Sequence, residues 1–133
     1  MSHNALINRP ADAYLQASAT SETIGSSWTK KLFGSPSVNT SGLTASSSVY
    51  TATVAGIYLI HFDHYEPSGS GISYLGYTKN SGSIPTEQTG ASQSGYISPL
   101  LAFVELAVGD TVSISAYNFV CTNGSILTIV RLL

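Results

Sequence analysis

The sequence predicts an all-β domain, a sandwich or barrel of antiparallel strands. Helical periodicity is almost absent along its 133 residues. Short segments rich in β-branched and aromatic residues recur instead, separated by Gly, Ser, Asn and Pro, which is the pattern of strands joined by tight turns. The length is that of one domain, sufficient to bury a single core without disulfides. We divide it into an N-terminal arm, residues 1–12, and a strand domain, residues 13–133.

Met1 to Asp12 has weak preferences and reads as the arm. Ala13 to Thr20 alternates weakly and predicts a first strand. Trp28 to Phe33 predicts a short strand that Pro36 ends, and Ser37 to Ser46 a polar loop or a short edge strand. From Ser48, Tyr50, Ala52 and Val54 alternate with Thr51 and Thr53 until Ala55-Gly56 breaks the run. Between Gly56 and Tyr65, Tyr58, Ile60 and Phe62 fall on one face and Ile57, Leu59 and His61 on the other, because successive strand residues point to opposite sides. Glu66-Pro67-Ser68-Gly69 is a turn. Ile72 to Lys79 is a strand closed by Asn80-Ser81-Gly82. Ser83 to Gln93 is polar, contains Pro85, and reads as a loop or a weak strand. Tyr96 to Leu106 is a long apolar run, and Val108-Gly109-Asp110 a tight turn. Thr111 to Cys121 sets Val112, Ile114 and Ala116 against Thr111, Ser113 and Ser115. Asn123-Gly124 signals a hairpin before a final strand, Ser125 to Leu133. These make roughly eight to ten strands. A last strand carrying Ile126, Leu127, Ile129, Val130, Leu132 and Leu133 would be a liability at an exposed edge, so we expect it central in a sheet or buried between subunits.

Composition narrows the function. Hydrophobic residues make up 43% of the chain and charged residues only 9%, against about a quarter in an ordinary soluble domain. Ser and Thr fill about a quarter of it. A polar surface with few charges suggests that much of it faces other protein, since charge is depleted at interface cores. The net charge is −2, and Lys30-Lys31 is the only adjacent cationic pair, so nucleic acid is not the expected partner. No apolar run approaches the roughly 18 residues of a membrane span, and Met1 to Pro10, which carries Arg9, does not read as a secretory signal. Cys121 is the only cysteine, which excludes an intrachain disulfide; in a β-like run it reads as a small buried hydrophobe rather than a reactive thiol.

Candidate chemistry is sparse. His61-Phe62-Asp63-His64 is the densest group of potential ligands, but a strand puts His61 and Asp63 on one face and His64 on the other, and two ligands do not make a metal site. The alternative is a weak site completed by symmetry mates at a trimer axis. No Gly-x-Ser-x-Gly precedes a suitable acid and His, the carboxylates Asp12, Glu22, Asp63, Glu66, Glu87, Glu105 and Asp110 are scattered, and there is no phosphate loop. We therefore expect no enzyme, no catalytic residue, no metal and no cofactor. Tyr65, Tyr74, Tyr77, Tyr96 and Tyr117 have rings that stack on sugars, yet tyrosine serves equally in a core or an oligomer interface. The polar segment Ser83 to Ser94 is the better place for ligand contact, with Thr86, Glu87, Gln88, Gln93 and Tyr96 as the candidate ligand loop.

Three segments carry a resemblance. Tyr50-Thr51-Ala52-Thr53-Val54-Ala55-Gly56-Ile57-Tyr58-Leu59 resembles the signature segment of C1q-like domains, in which a Gly-x-Tyr opens a strand. Lys79-Asn80-Ser81-Gly82 resembles the family's Lys-Asn-Gly turn, and Leu106-Ala107-Val108-Gly109-Asp110-Thr111-Val112 its Leu-x-x-Gly-Asp-x-Val segment. The three fall in the family's order and span about Tyr50 to Ile114. Thr53 stands where proline is usual, and the family's closing Phe-x-Gly-aromatic segment is replaced by Ser125 to Val130. The resemblance implies a jelly roll of the C1q and tumour-necrosis-factor type, a three-fold homotrimer, ligand binding through outer loops, and no catalysis. It implies that Tyr50, Gly56, Tyr58, Phe62, Gly109, Asp110, Ile129 and Leu132 form the core and trimer signature.

Two functions follow as expectations. The first is a structural protein of a virus particle, of the bacteriophage kind: a trimeric knob decorating the capsid surface, held to capsid or other virion proteins by the arm. Low charge and high Ser/Thr content suit a packed assembly surface, and the collagen-like stalk and cysteine pair of animal C1q-like proteins are missing from these residues. The second is a receptor-binding or adhesive head, a fibre tip or bacterial surface module, that binds host glycans or proteins through its loops.

Overall fold

The computed structural model describes residues 14–40, 42–63, 73–82, 85–90, 99–121 and 125–133, which hold strands and no helix. In chain order the strands are β1 (Tyr14–Ser18), β2 (Glu22–Ile24), β3 (Thr29–Lys30), β4 (Val38–Asn39), β5 (Leu43–Ser46), β6 (Val49–Ala52), β7 (Gly56–Asp63), β8 (Tyr74–Lys79), β9 (Glu87–Gly90), β10 (Leu100–Leu106), β11 (Thr111–Tyr117), β12 (Phe119–Cys121) and β13 (Ile126–Arg131). One sheet runs β10-β7-β13-β1-β4, a second runs β5-β6-β11-β8-β9 with β3 also paired to β11, and β12 and β2 form a small ribbon. All pairings are antiparallel.

The apolar alternation of the sequence becomes the core. Tyr58, Ile60 and Phe62 of β7, Leu127 and Ile129 of β13, and Leu15 and Ala17 of β1 are buried from one sheet; Tyr50, Leu75, Val112 and Ile114 are buried from the other. Each fully buried large apolar side chain contributes at most about 1.5–3 kcal/mol. Phe33 meets Phe62 edge-on at 5.2 Å, an arrangement that the ring quadrupoles favour. The last strand, β13, is the middle strand of its sheet, between β7 and β1, so its backbone groups are paired on both sides.

Several elements differ from the sequence expectation. The strand expected over Trp28 to Phe33 is reduced to β3, because Lys31 turns its side chain fully inward and Phe33 makes a lone bridge to Ala19. Thr111 to Cys121 is two strands, divided at Asn118, whose φ of 49° interrupts the pleat. Ser37 to Ser46 holds both β4 and β5, and the polar segment after Pro85 contains β9. Nothing in the sequence announces β2, whose three residues pair with β12. The arm Met1 to Asp12, the turn Glu66 to Gly69 and the hairpin signal Asn123-Gly124 lie outside the described residues.

Candidate functional site

The residues singled out from the sequence divide by location. Tyr50, Tyr58, Phe62 and Ile129 are buried in the core. Burial pushes the Tyr50 hydroxyl far above its ordinary value, so it stays protonated. The Tyr58 hydroxyl donates to the Val54 carbonyl at 2.6 Å, tying β7 to the turn that precedes it. Gly56 sits where the chain crosses itself: a Cβ there would run into the Leu133 carbonyl and the Arg131 side chain. The Ile57 amide donates to Leu133 at 3.0 Å, the Leu132 amide to Ile57 at 2.8 Å, and Arg131 Nε to the Ala55 carbonyl at 3.0 Å. Leu132 itself is 42% exposed at this end of the sheet.

Gly109 and Asp110 belong to a second junction. Gly109 has φ of 91°, which a residue with a Cβ resists. Its amide donates to Ala52, and the Ala52 amide donates to Asp110. The Asp110 carboxylate accepts from the Ala107 amide at 2.8 Å and from Asn80 Nδ2 at 3.0 Å, with Lys79 Nζ at 3.6 Å. Chiefly the Ala107 amide, then Asn80, hold this carboxyl below its usual value. Asn80 Oδ1 in turn accepts from Thr111 at 2.8 Å. The segments around Tyr50, Lys79 and Gly109 therefore meet in one hydrogen-bonded knot that ties strand ends together.

The unassigned surface is the outward face of the five-stranded sheet. Residues paired in register share a face. Phe103 stands opposite Leu59, Leu59 opposite Val130, and Val130 opposite Tyr14, giving an apolar row across four strands. The next row is Leu101, His61, Thr128, Gln16 and Val38. Leu101 is 57% and Phe103 63% exposed. Glu105 and Ile57 form the row on the other side. Leu101 and Phe103 thus stand exposed beside the half-buried Leu59, Val130 and Tyr14, and exposed apolar surface is the kind that contacts between proteins use. From the sequence Val130 stands out as part of an apolar last strand and Leu59 as one face of its own strand; Tyr14, Leu101 and Phe103 do not, although apolar residues on both faces of Leu100–Leu106 are the signal of a strand covered on both sides.

The candidate ligand loop is partly described. Thr86 is exposed, donates its amide to Tyr77 and accepts from the Lys79 amide at 2.9 Å. Glu87 and Gln88 lie in β9, paired with Tyr77 and Gly76. Gln93 and Tyr96, with His64 and Tyr65, lie outside the described residues. His61 and Asp63 share the outward sheet face, and among the described residues no three His, Cys, Asp or Glu side chains gather as a metal site.

No family model matches the sequence, and no curated protein matches it. Solved structures do. Murine APRIL at pH 8.0 superposes with a TM-score of 0.70 at 14% identity, covering 90% of this chain and 98% of APRIL. The globular domain of zebrafish complement 1qA protein superposes with a TM-score of 0.67 at 15% identity, covering 92% of this chain and 98% of that domain. The chain has the C1q/TNF-like jelly-roll fold. At such identities the likeness establishes architecture, and it extends to all but about a tenth of the chain. Within this jelly roll the Gly56 and Gly109 junctions lock strand ends, while Leu101 and Phe103 leave part of one sheet face apolar and exposed.

Proposed function

We propose that this chain is a non-enzymatic assembly module that closes into a homotrimer through the outward face of its five-stranded sheet, and that the trimer stands as a knob on the surface of a virus particle. The apolar row Phe103–Leu59–Val130–Tyr14 carries the reading. Burying a residue such as Phe103 contributes roughly 1.5–3 kcal/mol per copy. A face docking on a different part of the next copy closes into a ring when the rotation allows, and three-fold closure is what the C1q/TNF-like resemblance implies. The sparse charge and abundant Ser and Thr support a place in a packed assembly such as a capsid surface.

Light scattering tests the trimer. The expected mass is three times 13.9 kDa; a folded monomer at micromolar concentration rules the reading out. Phe103→Glu combined with Leu59→Glu is expected to give a monomer with an unchanged β-sheet circular dichroism spectrum. The virion role predicts stoichiometric binding of the trimer to purified capsids, lost when Met1 to Asp12 is deleted; failure to bind removes that part alone.

A second reading, a head that binds host glycans, is favoured by one observation: a polar cavity beside an aromatic cluster on the other sheet. Glycan-array binding by the isolated trimer tests it.

A further inference from the structure

We propose that the outward face of the second sheet holds a binding site for a carboxylate-bearing saccharide, a uronic acid, seated on Trp28. This deepens the glycan-binding reading and is independent of the trimer.

The site arises from strand topology. β6 pairs with β11 at Thr111 and Val112, and β3 pairs with β11 at Ser115 and Ala116. β8 occupies the opposite edge of β11 along Val112 to Tyr117. Two short strands thus share one edge, and a notch opens beside Ser113 where one leaves and the other joins. It forms a cavity of about 270 Å³ lined by Trp28, Lys30, Val49, Thr78, Ser113 and Ser115, among others. Thr78 Oγ1 and Ser115 Oγ lie 2.9 Å apart and hold each other in place. Trp28 is braced by Tyr117 at 5.8 Å and Tyr74 at 6.2 Å, and those two rings meet at 5.8 Å. Among the described residues Lys30 is the one charged residue in the lining, and its ammonium donates to the Ser47 carbonyl at 2.7 Å, leaving two of its three protons for another acceptor.

These groups match one kind of molecule. A pyranose ring has an apolar C–H face, which an indole accepts by stacking, and a rim of hydroxyls, which fixed Ser and Thr hydroxyls pair with. Lys30 adds a cation, which a carboxylate on the ring complements by a charge-assisted hydrogen bond. A small cavity with one aromatic wall and convergent polar groups is the usual form of such a site.

Trp28 is the only tryptophan in the chain, so its fluorescence reads the site directly. Titration with glucuronate is expected to give a saturable change in emission, with a Kd on the order of 1 mM. Glucose, which lacks the carboxylate, is expected to bind about tenfold more weakly, and acetate, which lacks the ring, to leave the emission unchanged. Ser113→Leu, which fills the notch, is expected to abolish the response while the oligomeric mass stays the same. In the unaltered protein, saturation transfer from the Trp28 indole protons to the sugar C–H protons locates the contact without any substitution. Absence of a saturable response, or absence of transfer from Trp28, overturns the site. Equal affinity for glucose overturns its acidic preference. Glycan-array binding that survives Ser113→Leu keeps the adhesive reading but moves it away from this cavity.

Discussion

Lys31 shows how much one residue can carry in a chain with so few charges. Its side chain is 0% exposed, and the ammonium lies 2.7 Å from Glu22, 2.9 Å from the Thr20 carbonyl and 2.7 Å from the Leu32 carbonyl, with the Phe33 ring beside it. A buried charge is tolerated only when its partners are complete, so Glu22→Gln is expected to destabilise the fold by about 3 kcal/mol in urea unfolding. The double variant Glu22→Gln with Lys31→Met is expected to be more stable than Glu22→Gln alone, because it removes the uncompensated cation. Asp110 gives a pH dependence. Its carboxyl is lowered in the folded state by the Ala107 amide, Asn80 and Lys79, so its contribution is present above the usual carboxylate range and is lost as pH falls through the folded value. The thermal midpoint should therefore fall below about pH 4, and Asp110→Asn should flatten that fall. If the two proteins lose stability in parallel, the Gly109-Asp110 knot is not acid-sensitive through this group.

At the scale of elements, the β5–β6 connection is an unusual hairpin. Ser46 pairs with Val49, and the two residues between, Ser47 and Ser48, have φ of 49° and 62°. Turns of this kind favour Asn-Gly, and serine is strained there. Ser48 Oγ accepts from the buried Phe33 amide at 2.9 Å, which explains a hydroxyl at that position; nothing comparable engages the side chain of Ser47 among the described contacts. Ser47→Asn is accordingly expected to raise stability by about 0.5 kcal/mol, and Ser48→Ala to lower it by about 2 kcal/mol, both measured by denaturant titration. The elements also show why the sequence was only partly readable. β11 alternates apolar with polar positions, a period of two that the sequence shows directly, β7 is apolar on both faces but for His61 and Asp63, and the turns at Asn80 and Gly109 announce themselves by residue type. β2 and β3 contain three and two residues, and their pairing comes from distant partners rather than local pattern. In β10 the inward Ala102 and Val104 are no more apolar than the outward Leu101 and Phe103, so composition concealed which face was covered by the core. The notch beside Ser113 was equally invisible, since it exists only because two strands separated in sequence share an edge.

For the whole molecule, the apolar row and the central last strand have a common consequence. β13 is flanked by β7 and β1, so its backbone groups are satisfied within one copy, and what remains uncovered is side chain: Val130 with Leu59, Phe103 and Tyr14 around it. Association through this face, as proposed, would not require any strand to open, and a separated copy would keep its hydrogen bonds and core. Stability and assembly are then linked by mass action, since contact with other copies favours the native state alone. The thermal midpoint of the unaltered protein is expected to rise with protein concentration by several degrees per tenfold, whereas Phe103→Glu with Leu59→Glu should unfold at a lower temperature that does not depend on concentration. Scanning calorimetry at two concentrations a hundredfold apart separates the cases. A concentration-independent midpoint in the unaltered protein, equal to that of the double variant, means that the exposed sheet contributes nothing to the native state through self-contact.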